Sequence, residues 1–78
     1  MNPLRPCMKT SVQWERHTLI ADTPSKTDPT WCIRSEKGSM PGPPWEDEDE
    51  TQAQKRIISY LNRWPSMARR ELKLSGPG

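Results

Sequence analysis

Three side chains of this sequence belong to types that bind soft metal ions or act as nucleophiles: Cys7, His17 and Cys32. A structural zinc site normally uses four ligands, with cysteine pairs two to four residues apart. The chain has neither that number nor that spacing. A Cys–His nucleophilic pair would need a folded cleft that activates the thiol and excludes water, and no pattern predicts one. The sequence therefore predicts no enzyme, no metal site and no cofactor.

The two cysteines also bear on the compartment. Cys7 and Cys32 could close one disulfide loop in an oxidising environment, but no secretory signal is recognised. The longest apolar run is Leu19-Ile20-Ala21, whereas a membrane span needs about 20 residues. We therefore expect free thiols in an intracellular protein of the nucleus or the cytoplasm, which is not secreted and has no membrane span.

Residues 46–50 form an uninterrupted run of five acids. Metal sites need ligands that converge from spaced positions, whereas five adjacent carboxylates point in several directions. Acids do favour the start of a helix, where unpaired N–H groups and the positive end of the macrodipole lie. The run predicts a helix entry with Glu48, Asp49 or Thr51 as the cap. Alternatively, it masks the basic residues downstream or contacts a basic groove on a partner.

An amphipathic helix is predicted after this run, over about residues 48–64. Its apolar side chains have helical spacing and form one stripe: Ala53, Ile57, Ile58, Tyr60, Leu61 and Trp64. Pro65 cannot extend the ladder of hydrogen bonds, so the helix ends before it. The pattern permits a short second helix over 66–74 after a kink.

The first half of the chain has weaker patterns. Residues 1–37 are interrupted by proline and predict a weakly structured arm, with a weak β-hairpin permitted between 12–21 and 30–34. Residues 38–45 are rich in proline and glycine, which predicts a linker with polyproline II character. Residues 46–78 hold the acidic helix entry, the amphipathic helix and a basic tail.

Composition sets the expected fold. The 78 residues include nine prolines, and only 31% of them are hydrophobic. Ordering a residue costs about 1–2 kcal/mol of backbone entropy, while burial returns only about 25 cal/mol per Å² of apolar surface. Four tryptophans and a formal net charge of +2 argue against complete disorder. We expect a mostly disordered small protein with one amphipathic α-helix that folds when it binds a partner.

The helix stripe indicates the expected function. Helices that dock in grooves present apolar anchors at i, i+3, i+4 and i+7, and Trp and Tyr often dominate binding energy. We expect a non-enzymatic regulatory or accessory protein that binds a larger protein with a hydrophobic groove. The expected anchors are Ile57, Tyr60, Leu61 and Trp64. The alternative is that the same stripe packs on Trp14 and Trp31 of this chain.

The basic tail permits a second function. Residues 51–78 carry six basic groups against one acid, Glu71. Residues 55–73 resemble a bipartite nuclear localisation signal, which implies recognition by a nuclear import receptor. The cations of that pattern are Lys55, Arg56, Arg69, Arg70 and Lys73. The alternative function is a nuclear or single-stranded nucleic-acid-binding regulator, whose cations contact phosphates while Tyr60 and Trp64 stack on bases.

In general style the chain resembles the short accessory proteins of viruses. It is brief, contains proline and tryptophan, and has a basic tail. No motif identifies a family. The resemblance implies a host-protein or nucleic-acid partner.

Overall fold

Four β-strands followed by two α-helices account for most of the residues that this computed structural model describes, which are 7–25 and 27–74. The strands are β1 (Lys9–Trp14), β2 (His17–Asp22), β3 (Thr30–Arg34) and β4 (Ser39–Pro44). The helices are α1 (Glu50–Arg63) and α2 (Pro65–Glu71). The strands form one antiparallel sheet in the order β1-β2-β3-β4, so each strand pairs with its neighbour in the sequence.

The register of the sheet is set by its turns. The β1–β2 hairpin pairs fully, from Lys9 opposite Asp22 to Trp14 opposite His17. Only two residues, Glu15 and Arg16, connect these strands, and the backbone of Glu15 has a φ of 56°. A positive φ at the first turn position matches the twist of a tight hairpin, where glycine is usual. The β2–β3 and β3–β4 pairings are shorter, and the β3–β4 pairing has a register shift.

One face of the sheet is buried because apolar residues alternate along each strand. In β1, Val12 and Trp14 point to the core while Ser11 and Gln13 are exposed. Leu19 and Ala21 in β2 continue the buried face. Alternation of this kind is typical of an antiparallel sheet with one covered and one open face. Strands β3 and β4 add three buried apolar residues to that face: Trp31, Ile33 and Met40.

The two helices complete the core. Asp49 caps α1, because its carboxylate Oδ1 accepts a hydrogen bond from the backbone N–H of Gln52 at 2.9 Å. Ala53, Ile57 and Leu61 of α1 are fully buried. Helix α2 adds Ala68, and Leu72, the residue that caps its C-terminus, adds its side chain. Both lie in the same cluster as the apolar face of the sheet. The core is therefore shared by all six elements.

The prediction of a mostly disordered chain is wrong. Its argument counted hydrophobic residues, but the twelve buried apolar residues of the described chain form one cluster in which two tryptophans are almost completely buried. Fully burying an aromatic side chain removes about 150–250 Å² from water. A few large side chains that face the same interior thus compensate for a low hydrophobic fraction. Coupled folding and binding is not required to explain this fold.

Residues 38–45, predicted to be a linker, contain strand β4. Pro43 is buried in this strand, and β4 lies at the edge of the sheet. An edge strand tolerates proline because one side of its backbone needs no ladder hydrogen bond. Gly42 lies against β3, where a Cβ atom would come within 2.9 Å of Ile33 Cδ1. A composition rich in proline and glycine, which is typical of linkers, belongs here to a protected strand at the edge of the sheet.

Residues 12–21 were predicted as one strand but contain parts of two, with the turn between them. Of the hairpin predicted between 12–21 and 30–34, only the pairing of β2 with β3 is present. Both helices, in contrast, lie within or next to their predicted ranges of 48–64 and 66–74. Helical periodicity was therefore the more reliable signal in this chain.

The central position of α1 predicts a large effect for Ile57→Ala. Truncating a fully buried isoleucine should lower the free energy of unfolding by about 2–5 kcal/mol, because apolar burial is lost and a cavity remains. Urea denaturation followed by tryptophan fluorescence measures this change. Gln52→Ala, at an exposed position of the same helix, should change it by less than about 0.5 kcal/mol. Equal effects of the two variants would contradict the packing described here.

Candidate functional site

The four expected anchors occupy different environments. Ile57 and Leu61 are 0% exposed and belong to the core, so they have no surface to offer a partner while the protein is folded. Tyr60 is partly buried, and Trp64 is 47% exposed. The alternative from the sequence was that the stripe packs inside this chain. Ile57 and Leu61 do pack in this way. Only Tyr60 and Trp64 can contribute to a contact surface.

Trp64 lies at the junction of the two helices. It follows Arg63, the last residue of α1, and precedes Pro65, which occupies the first turn of α2. Its φ and ψ of −129° and 55° are not helical, and its backbone N–H bonds to Leu61 O at 3.2 Å. This break in the helix directs the indole out of the core. The Arg63 guanidinium carbon lies 5.6 Å from the indole centroid, within the range of a cation–π contact.

Two shallow grooves meet at Arg63, which lines both of them, and Trp64 lines the second. The first lies along α1 beside Lys55 and Tyr60, and the second lies beside Trp64, Met67 and Arg70. We call this region the Trp64 surface, defined by six residues: Lys55, Tyr60, Arg63, Trp64, Met67 and Arg70. Aromatic residues, arginine and methionine are the types enriched in protein interfaces.

The acidic run stabilises the start of α1 and its contact with the sheet. Besides the Asp49 cap, the Glu50 carboxylate accepts a hydrogen bond from the Thr10 hydroxyl at 2.7 Å. Glu48 forms an ion pair with Arg56 at 2.5 Å, and Glu46 lies 3.4 Å from the same guanidinium. Within the described residues, no group of three or more candidate ligands could hold a metal ion. The run thus acts as a helix entry that neutralises Arg56.

Within the acidic run, Glu48 is the residue whose carboxyl pKa is shifted. Its side chain is only 8% exposed. Burial is the largest single influence and raises the pKa of the carboxyl. Hydrogen bonds from the backbone N–H groups of Glu48 and Glu46, together with Arg56, outweigh it, so the pKa lies below its ordinary value of 4.5. The charged carboxylate is the form that the fold favours.

The five cations of the predicted basic tail do not form one face. Lys55 and Arg70 border the Trp64 surface, whereas Arg56 is paired with the acidic run. Arg69 forms an ion pair with Glu15 at 2.5 Å, and its guanidinium carbon lies 5.4 Å from the Trp14 ring centroid. Lys73 follows the end of α2 and lines a different cleft from the grooves beside Lys55 and Arg70. An import receptor reads such signals in extended form, so nuclear import stays a prediction that this helical segment does not favour.

The residues with potential metal or nucleophile chemistry are separate. Cys7 is exposed, Cys32 is half-buried, and both are free thiols. His17 begins β2 and lines a cleft with lysine and arginine residues rather than with cysteine. No helix of the described chain is long and apolar enough to cross a membrane. The expected compartment, nucleus or cytoplasm, stays a prediction.

Sequence reasoning missed a cleft of about 400 Å³ at one end of the sheet. We call it the basic cleft, defined by its charged and titratable residues: Arg16, His17, Glu36, Lys37 and Lys73. These residues are distant in the sequence and lie in turns whose positions depend on the sheet. No local signal marked the cleft, because Arg16 lies inside segment 12–21, which was predicted as one strand, and Lys37 lies three residues after segment 30–34.

Comparison of the chain with protein-family models, with curated proteins and with solved structures found no match. Function must therefore be argued from the surfaces themselves. The general resemblance to viral accessory proteins stays a prediction.

The lowered pKa of Glu48 predicts an acid-dependent loss of stability. A carboxyl with a lower pKa in the folded state contributes stability above its unfolded value of 4.5, and this is lost as the pH falls through the lower folded value. We expect Glu48→Gln to lower the free energy of unfolding at pH 7 by roughly 1 kcal/mol or more. The difference between wild type and variant should shrink below pH 4.5.

Urea denaturation at a series of pH values measures both effects. Glu46→Gln is the matched control, because Glu46 faces the same guanidinium at 3.4 Å but its side chain is 65% exposed. An exposed pair is worth less than about 1 kcal/mol. If Glu48→Gln destabilised the protein equally at pH 3 and pH 7, the carboxylate would not be the form that matters.

Proposed function

We propose that this protein is a non-enzymatic binding protein that recognises an acidic segment of a partner protein through the Trp64 surface. This retains the class of function expected from the sequence, but with a different contact surface. Ile57 and Leu61 lie in the core and are not available to a partner while the protein is folded. Tyr60 and Trp64 are the contact residues that remain.

The exposure of Trp64 carries the proposal. It is the one large hydrophobic residue of the described chain that is exposed, at 47%. An indole that stays in water loses the stabilisation that burial would supply. The chain buries Trp14 and Trp31 almost completely but leaves Trp64 exposed. Tryptophan is the residue type most enriched among binding hot spots. Partly buried Tyr60 and Met67 provide adjoining apolar surface, so that a partner residue can contact more than one side chain.

The charges around Trp64 indicate the chemistry of the partner. Within the described residues, Lys55 and Arg63 form no ion pair with a carboxylate. Arg70 lies 3.8 Å from Glu71, but its side chain is 74% exposed, so that pair is weak. Arg63 and Arg70 thus lie beside an exposed indole, and Lys55 lies in the neighbouring groove along α1. Only the weak Arg70–Glu71 pair offsets their charge among the described residues. A partner segment that carries acids next to a large apolar side chain complements this pattern.

A protein partner fits better than a nucleic-acid strand. A strand needs a continuous basic track, because each nucleotide adds a phosphate. The track along α1 is interrupted, since Arg56 is neutralised by Glu46 and Glu48. The acids at the start of α1 would also repel phosphates near Lys55. Arg69, which could extend the track along α2, is paired with Glu15.

The proposal predicts which peptides the protein selects. From a displayed library of random twelve-residue peptides, we expect enrichment of acidic peptides that contain at least one Trp, Phe, Leu or Ile. Trp64→Ala should weaken binding of a selected peptide by about 2 kcal/mol, roughly 30-fold. Fluorescence anisotropy with the labelled peptide measures the affinity. Urea denaturation should show that the variant remains folded, because the lost side chain is largely exposed.

Thr51→Ala, at an exposed position near the other end of α1, is the matched control and should leave peptide affinity unchanged. A labelled strand of twenty thymidine nucleotides tests the alternative function. For strand binding, log affinity should fall with log salt by about 0.7 per phosphate contact. Tighter binding of the strand than of any selected peptide, with a slope of about −2 or steeper, would replace the proposal by nucleic-acid binding.

A further inference from the structure

The basic cleft is separate from the Trp64 surface and brings together three segments of the chain. The β1–β2 turn and the β3–β4 turn lie at the same end of the antiparallel sheet, because both follow strands that run in one direction. The segment after α2 closes the third side. Each segment contributes one exposed cation: Arg16, Lys37 and Lys73.

The positive charge of the cleft is only partly compensated by the residues that line it. None of the ion pairs among the described residues includes Arg16, Lys37 or Lys73. Glu36 is the one acid among the described residues that line the cleft, and His17 adds a further nitrogen donor or acceptor. Placing like charges around one cleft destabilises the unliganded fold by self-repulsion. An anion with several negative charges would relieve that repulsion.

The β3–β4 turn is held against the end of α2 by direct contacts. The Ser35 hydroxyl donates to the Leu72 carbonyl oxygen at 2.5 Å, and its oxygen accepts from the backbone N–H groups of Lys37 and Gly38. Gly38 packs so closely on α2 that a Cβ atom would collide with the carbonyl oxygen of Glu71. The backbone that carries Lys37 therefore has a fixed position relative to Lys73.

The β1–β2 turn is attached to the same helix. Glu15 forms an ion pair with Arg69 of α2, whose guanidinium also lies over the Trp14 ring. This contact holds the turn in spite of the positive φ of Glu15. The backbone of Arg16, the next residue, is positioned with it. The backbone of all three cations is thus held in place, so a ligand needs to order only their side chains when it binds.

Lys73 occupies a position where the backbone favours glycine. Its φ is 54°, its N–H bonds to Arg70 O at 3.3 Å, and the N–H of Leu74 bonds to Arg69 O at 3.0 Å. These two bonds form a Schellman motif, in which glycine usually takes the left-handed position. A lysine elsewhere in the last turn would interact equally well with the helix dipole. Helix capping alone therefore does not explain this residue.

We propose that the basic cleft binds a small anion that carries two or more phosphate groups, which Arg16, Lys37 and Lys73 contact from three sides. Phosphate oxygens accept charge-assisted hydrogen bonds from guanidinium and ammonium groups. Neither tryptophan nor tyrosine lines the cleft in the described part of the chain, and the one aromatic ring there is the imidazole of His17, a small stacking surface. The phosphates are therefore the recognised group, whether they belong to an inorganic polyphosphate or to a nucleotide.

Titration of the full chain with inorganic tripolyphosphate, at constant ionic strength, tests this proposal by calorimetry and by amide chemical shifts. We expect saturable binding of one anion per chain, with shift changes concentrated at residues 16–18, 35–37 and 73–74. Lys37→Gln and Lys73→Gly should each weaken binding about tenfold. Lys73→Gly should at the same time raise the midpoint of thermal unfolding, because glycine adopts a positive φ without strain. Glu36→Gln should tighten binding.

Lys9→Gln is the matched control, since Lys9 is exposed at the opposite end of β1 from Arg16. It should leave the affinity unchanged. Equal affinities for tripolyphosphate and adenosine triphosphate assign recognition to the phosphates alone, and tighter binding of the nucleotide assigns a nucleotide ligand. The proposal is overturned if binding does not saturate, if citrate binds as tightly as tripolyphosphate, or if Lys9→Gln weakens binding as much as Lys37→Gln.

Discussion

Helix α1 covers one face of the four-stranded sheet, and the core exists only because it does. Ala53, Ile57 and Leu61 lie in one cluster with the two buried tryptophans of the sheet. The contact also has a polar component, since Trp14 Nε1 donates to Asn62 Oδ1 at 2.9 Å. Without the helix, the apolar face of the sheet would lie in water. Both proposed binding surfaces inherit their geometry from this packing, because α1 carries one of them and positions α2 for the other.

The sequence separates an acidic run from a basic tail, and the fold gives the acidic run a structural role. Three acids of the run act locally at the start of α1: Asp49 caps the helix, Glu50 contacts the sheet and Glu48 fixes Arg56. They are therefore not a general mask for the basic residues, of which Arg56 alone pairs with the run in the described chain. Lys55 and Arg63 of the Trp64 surface and the three cations of the basic cleft form no ion pair among the described residues, and this leaves them available for a ligand.

The sequence predicted the helices because each carries a signal within a few residues. The 3.6-residue period, the acidic entry and Pro65 all act locally. The sheet depends on pairing between segments, and its local signals were weak. Strands of five or six residues show only two or three alternations, and β4 contains three prolines. The turn at Glu15 and Arg16 lacks the glycine or asparagine that normally marks a tight hairpin. The candidate site was predicted in part, because periodicity places Leu61 and Trp64 on one stripe but cannot tell which of them the sheet covers.

Residues that break a local rule fall into two groups in this fold, and the difference bears on function. Glu15 has a positive φ, but its ion pair with Arg69 supplies a structural reason for the side chain. Trp64 is a large indole in water, and Lys73 is a lysine in a glycine-type conformation. Trp64 has a ring contact with the exposed Arg63, and the Schellman hydrogen bonds at Lys73 use the backbone, so they do not require a lysine side chain. Departures from local preference without a compensating contact concentrate at functional sites. The two positions therefore point to two separate ligand surfaces on one small core.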